Sequence, residues 1–285
     1  MGILDKVMKA SEAGGDHIKA LLWGPNGSGK STVCGTAPRP LLYAWTERQG
    51  LLSFKRMAPD ADVVQISSLA DLRSLLGALI NENHGYASVC LDSFTEMQQL
   101  LIEEIGARKS TGPDEPTRLS IEDRLFIHDK SKSIVRAFRD LPMHVILTCL
   151  SETVVIGEGE SAKTVTRVML SGQKLPAQLG QYFNLVGFCY KASDKDGNTT
   201  HRVLFDGRSD IDTKGMPGLR RREDPDISYW YARAVEGCES REPDAPMIRA
   251  VDRGAPEPEP EASEDEQPEE EKTDEKQKGR KAKSK

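Results

Sequence analysis

The run Gly24-Pro25-Asn26-Gly27-Ser28-Gly29-Lys30-Ser31 leaves this chain few folds to choose from. Glycines at its start, middle and end let the backbone turn tightly enough for successive N–H groups to face one point. Such a loop is held open by a strand on one side and a helix on the other. The sequence supplies both, because residues 18–23 are an apolar run of strand length and residues 30–34 begin a helix. The pattern is that of a phosphate-binding loop. Gly24, Pro25, Asn26, Gly27, Ser28, Gly29, Lys30, Ser31 and Thr32 form the expected ATP-binding segment, with Lys30 reaching the β- and γ-phosphates and the Ser31 hydroxyl taking a Mg2+ position. The competing reading is a glycine-rich turn that holds no nucleotide.

Strands and helices alternate beyond the loop. Residues 41–45, 63–66, 87–91, 144–150 and 185–190 are further strand-length apolar runs, and residues 69–81, 94–105 and 121–140 carry helical spacing. In the first of these helices Leu69, Leu72, Leu75, Leu76 and Leu79 mark one face. Strands apolar along their whole length must be covered on both sides, so the spacing predicts an α/β fold with a mainly parallel sheet and helices on both faces. Residues 153–170 alternate around Gly157 and Gly159, and residues 188–205 around Asp196-Gly197-Asn198, which predicts two appended hairpins. From residue 251 only Val251, Ala255, Ala262 and Ala282 are hydrophobic, too few to form a core. The expected organisation is an N-terminal extension over residues 1–17, one ATPase domain over 18–240 and a disordered tail over 241–285.

A phosphate loop needs a second carboxylate for Mg2+, and a strand end is where it belongs. The run Ala87-Ser88-Val89-Cys90-Leu91-Asp92 ends on one, making Asp92 the metal candidate; an N-cap for the next helix is the alternative, and one residue can do both. Hydrolysis also needs a group to orient or deprotonate water. Glu47, just past the strand at 41–45, is chosen for that role against an ordinary loop carboxylate. Thr148 is either a γ-phosphate sensor or a satisfied strand threonine. The five cysteines form no C-x-x-C pair and are expected as reduced thiols, with Cys90 and Cys149 buried in apolar runs.

These parts, in this order, resemble the RecA-like branch of phosphate-loop ATPases, and within it the phage-type ATP-binding proteins described as single-strand annealing recombinases. The resemblance covers roughly residues 18–219. It rests on the loop from Gly24 to Thr32, on Thr46-Glu47-Arg48-Gln49-Gly50, on Leu91-Asp92-Ser93, on Leu141-Pro142-Met143-His144-Val145-Ile146-Leu147-Thr148, and on the later stretches 170–176 and 182–187. It implies a RecA-like core with ATP and Mg2+ as cofactors, Glu47 as the water-activating residue and single-stranded DNA as a partner. The DNA loops would fall at 106–118, with Arg108, Lys109 and Arg118, and at 152–167, with Lys163 and Arg167. A lysine or arginine late in such domains reaches a neighbour's γ-phosphate. Lys214 is the candidate here, with a solvated basic turn as the alternative, and a homo-oligomer follows. A phage protein of this kind would work in the host cytoplasm.

A soluble cytosolic location also agrees with the absence of an 18-residue apolar run and of a signal-peptide layout in the first thirty residues. The net charge of −6 excludes one large basic surface, so nucleic acid would need a local patch. The last 35 residues account for −4 of that charge, leaving the body nearly neutral. Within them residues 261–275 are acidic and residues 276–285 basic. The acidic block could compete with DNA, dock a single-strand-binding protein or another protein, or only solubilise the chain. An ATP-driven switch or assembly factor acting on a protein partner is therefore the second function class, and a small-molecule kinase a weaker third.

Overall fold

Strands that are apolar on both faces fold only where helices cover both faces, and here they are covered. The computed structural model describes residues 2–9, 17–109, 119–157, 159, 162–193, 197–207 and 210–234. Along the chain lie β1 (Lys19–Gly24), α1 (Lys30–Cys34), β2 (Leu41–Trp45), α2 (Arg48–Met57), β3 (Asp62–Gln65), α3 (Leu69–Asn81), β4 (Ser88–Asp92) and α4 (Phe94–Ala107). There follow α5 (Ile121–Arg139), β5 (His144–Ile156), β6 (Lys163–Val168), α6 (Lys174–Gln178), β7 (Leu185–Ser193), β8 (Thr199–Leu204), β9 (Arg222–Glu223) and α7 (Ile227–Ala234). The strand order is β3-β2-β4-β5-β1-β7-β8-β9. The strands from β3 to β7 are parallel, while β8 and β9 add on antiparallel and β6 folds back on β5.

Alternation along β1 divides the core in two. Leu21 and Trp23 point to the side covered by α3, α4 and α5, whereas Ala20 and Leu22 point to the side of α1, α2 and α7. The helices start where short polar side chains can cap them. Ser68 Oγ accepts the Asp71 N–H at 3.1 Å before α3, and Ser120 and Asp123 form a reciprocal capping box before α5.

The expected α/β architecture is the one observed, with several differences in detail. The central strand β5 does not stop at Leu150 but continues to Ile156, so the first appended hairpin grows out of the sheet itself. Helix α2 is not evident in the sequence because Gly50 and five charged or polar residues leave only Leu51 and Phe54 facing inward; Phe54 stacks on Tyr43 with ring centroids 3.8 Å apart. Helix α7 escapes the periodicity because it is only eight residues long. Its Trp230 is fully buried, edge-on to Phe205 at 4.8 Å, and its first turn is tied to Thr36 through the Ile227 N–H and the Ser228 hydroxyl. The tail and Cys238 lie outside the described residues. The other four cysteines are buried free thiols, as expected. No helix among the described residues is long and apolar enough to cross a membrane.

At the amino edge of the sheet, polar side chains close the strand ends. Lys19 Nζ donates to the Met143 carbonyl at 2.6 Å and to the Leu141 carbonyl, and burial lowers its pKa to about 8. His144 Nδ1 accepts the Ile18 N–H at 3.1 Å, which requires an unprotonated Nδ1. Burial, together with the positive neighbours His17 and Lys19, lowers its pKa to about 4. The unfolded chain, with an ordinary histidine value of 6.5, binds the extra proton first, so this contribution to stability is complete above pH 6.5 and is lost as the pH falls towards 4. Urea midpoints across pH 4 to 7 will show that slope. His144→Asn, which keeps an acceptor at the Nδ1 position but cannot titrate, will flatten it. Trp230→Ala will lower the unfolding free energy by about 3–5 kcal/mol, a loss readable in the same urea titrations.

Candidate functional site

The phosphate loop turns as its glycines require. Gly29 sits at φ +93°, a left-handed conformation that an L side chain resists, and it feeds directly into α1. A side chain at Gly24 would collide with the Cys189 carbonyl oxygen on β7, so the loop leaves β1 with the neighbouring backbone packed against it. The Lys30 ammonium is buried in the loop's concavity, donating to the Gly24 and Pro25 carbonyls at 2.9 Å each. Burial lowers its pKa, and the nearby Asp92 and Glu47 work against that shift.

Asp92 ends β4 beside the loop. Its Oδ2 accepts the Ser31 hydroxyl at 2.5 Å and the Tyr43 hydroxyl at 2.5 Å, and its Oδ1 accepts the Thr148 hydroxyl. Ser93, not Asp92, caps α4, with its Oγ accepting the Glu96 N–H at 3.2 Å, so the carboxylate is free of that duty. The same Ser93 hydroxyl donates to Glu47 Oε1 at 2.9 Å and draws Glu47, the residue before α2, towards the end of β4. Thr46 stitches the two strand ends together: its N–H donates to the Asp92 carbonyl at 2.8 Å, and its hydroxyl accepts the Ser93 N–H at 2.9 Å. Thr148 is fully buried on β5, where its hydroxyl positions Asp92.

These groups line a cleft of about 320 Å3 at the carboxyl ends of the strands, shared by Gly29, Lys30, Ser31, Glu47, Asp92 and Ser93. A larger cavity of about 860 Å3, between β6, α6 and residues 206–207 and 210–213, contains none of them. The Ser31 and Asp92 oxygens are hard donors of the kind that hold Mg2+ together with phosphate oxygens and water. Gly50 on α2 keeps the space beside them open: a Cβ there would lie 2.7 Å from Ser31 Oγ and 3.1 Å from both Asp92 Oδ2 and the Tyr43 hydroxyl. Among the described residues no three His, Cys, Asp or Glu side chains cluster to hold a metal by themselves. A single carboxylate and a hydroxyl beside a phosphate site is the arrangement suited to a nucleotide-borne Mg2+.

The remaining predicted residues lie elsewhere. Lys109 is paired with Asp123 at 2.7 Å, Arg108 with Glu104, and Arg167 with Glu152 at 2.8 Å. Lys163 is exposed at the start of β6, and Arg118 lies outside the described residues. Gln98 bonds both Ser131 on α5 and the Ser171 N–H, close to where Met169 pairs with Leu150 at the carboxyl side of the sheet. From there α5 descends to Asp140, beside the start of β5, so its other end and Lys109 lie towards the carboxyl side, as does the β5–β6 hairpin. Lys214 bridges to Val186 through the backbone and donates its ammonium to the Phe183 carbonyl at 3.0 Å, away from its own phosphate loop.

Sequence reasoning missed Tyr43, Ser93, Gly50 and two residues of the β7–β8 hairpin, Lys191 and His201. Tyr43 had one usable signal: a tyrosine in an otherwise apolar buried strand needs a partner for its hydroxyl. With this geometry in place, the family described as the AAA domain matches residues 16–215. No curated protein matches the chain. Burial and the Asp92 carboxylate push the Tyr43 phenol far above its ordinary pKa. An ultraviolet titration of Tyr43→Phe will therefore give the same tyrosinate amplitude in the ordinary transition near pH 10 as the wild type.

Proposed function

The chain belongs to the AAA domain family of phosphate-loop ATPases, and from that premise we propose that it hydrolyses ATP in the cleft bounded by Lys30, Glu47 and Asp92, as a RecA-like protein acting on single-stranded DNA in annealing or recombination. The observation that carries this reading is the convergence of Lys30, Ser31, Glu47 and Asp92 on one cleft at the carboxyl ends of parallel strands, where open α/β sheets bind their ligands. The loop N–H groups and Lys30 cradle the phosphates. Ser31 and Asp92 would hold Mg2+, which would supply positive charge to offset the charge that develops on the phosphates. Glu47, fixed through one oxygen by Ser93, orients the attacking water and takes its proton. In the same scheme Lys214 serves a neighbouring subunit of a homo-oligomer, because its own chain keeps it away from the loop.

Support for DNA comes from the resemblance and from the location of Arg108, Lys109, Lys163 and Arg167 on the side of the sheet that holds the cleft. One observation favours the second class, an ATP-driven switch acting on a protein partner. Arg108, Lys109 and Arg167 already have carboxylate partners in their own chain, which DNA phosphates would have to displace. In that reading the acidic stretch 261–275 docks the partner.

Steady-state ATP turnover of the wild type, Lys30→Ala and Glu47→Gln, each with and without single-stranded DNA at low salt, separates the readings. Lys30→Ala will lose turnover. Glu47→Gln will keep nucleotide binding and slow by about 100-fold or more. Normal turnover in Glu47→Gln would refute the water-activation role. Single-stranded DNA will raise the wild-type rate, and a rate that ignores DNA leaves the protein-partner reading standing.

A further inference from the structure

The β7–β8 hairpin overhangs the phosphate loop, and neither the motif nor the metal pair accounts for what it brings there. Strand β7 runs parallel to β1 as far as the Trp23–Phe188 pairing, and Lys191 lies three residues further on, about 10 Å past that pair. Directly across from Lys191 on β8 is His201, so the two side chains share one face of the hairpin. Both reach the loop. A Cβ on Gly27 would lie 3.3 Å from Lys191 Nζ, and one on Gly29 would lie 3.0 Å from His201 Nδ1.

His201 lines the same cleft as Lys30, Ser31 and Asp92. Its Nδ1 is buried without a hydrogen-bond partner. A buried ring nitrogen left in this way gives up its hydration for nothing in the protein, and it points at the backbone that a phosphate approaches. The Lys191 ammonium is exposed and has no carboxylate partner among the described residues. It differs in this from Lys109, Arg108 and Arg167, whose charges are already matched.

We propose that Lys191 and His201 form a second wall of the nucleotide site within the same chain, binding the terminal phosphate oxygens of a nucleoside triphosphate from the side opposite Lys30. The proposal rests on the nucleotide-binding reading of the cleft and extends it to a part of the chain about 160 residues beyond the loop. Lys191 supplies charge, and His201, as its Nδ1–H tautomer, supplies one directed hydrogen bond. The more phosphate a ligand carries, the more it gains from the pair. The hairpin therefore selects triphosphate over diphosphate and monophosphate, and no proton transfer is assigned to it.

The test is calorimetric titration of the full chain with a slowly hydrolysed ATP analogue, ADP and AMP, each with Mg2+, in the wild type, Lys191→Ala, Lys191→Arg, His201→Ala and Lys30→Ala. Lys191→Ala and His201→Ala will each weaken the triphosphate about tenfold, the scale of one charge-assisted hydrogen bond, and ADP less, with AMP unchanged. Lys191→Arg will restore most of the loss, which a structural role for the lysine stem would not require. If Lys30→Ala binds the triphosphate like the wild type, the underlying nucleotide reading fails. If Lys30→Ala loses binding while both hairpin alanine variants bind normally, only the hairpin inference fails. Mixing equal amounts of Lys191→Ala and Lys30→Ala distinguishes the source of the lysine: turnover stays low if Lys191 serves its own loop, and recovery to about a quarter of the wild-type rate, the share of sites that pair an intact Lys30 with a neighbour's intact Lys191, would reassign it to a neighbour's site and overturn the proposal.

Discussion

A carboxylate taken out of water must be given donors, and those around Asp92 come from three separate parts of the sheet. Ser31 reaches it from the helix after β1, Tyr43 from β2 and Thr148 from β5. Because β2, β4, β5 and β1 stand side by side, this one side chain ties together the four strands whose carboxyl ends form the cleft. The geometry of the site follows from that tie. Ser31 is held against the carboxylate while Lys30, one residue earlier, turns into the loop, and Ser93, one residue later, is left to cap α4 and grip Glu47.

The sheet divides its labour between its two edges. At the amino edge Lys19 and His144 spend their polar groups on backbone partners, closing strand ends where no chemistry is needed. At the carboxyl edge the polar groups face one another across open space. Parallel strands create this asymmetry, since every loop leaving a carboxyl end arrives on the same side. Gly50 shows how closely that space is shaped: a position on a helix absent from the sequence reading is kept free of a side chain by the needs of Ser31 and Asp92.

Charge is arranged with the same economy. Arg108, Lys109 and Arg167 are matched by nearby carboxylates, whereas the lysine above the phosphate loop has no carboxylate partner among the described residues. In a body close to neutral, an unmatched cation beside a glycine-rich loop matters more than the number of charges, because its field is not cancelled locally.

What the sequence determined alone was whatever is written in contiguous residues. The phosphate loop is an eight-residue word, the parallel strands are unbroken apolar runs, and Asp92 ends one of them, so the fold class, the loop and the carboxylate at the end of β4 were all legible. Helices α2 and α7 were not, because each buries only a few side chains and contributes little periodic signal. Only the tertiary structure decided that Tyr43 and Thr148 hold Asp92, that Ser93 and not Asp92 caps α4, that Thr148 sits behind the cleft, and that Lys191 and His201 stand over a loop far away in the chain. The physical reason is range. A turn or a strand is specified by neighbours along the backbone, whereas a hydrogen bond between strands depends on their order and register in the sheet, which no local pattern encodes.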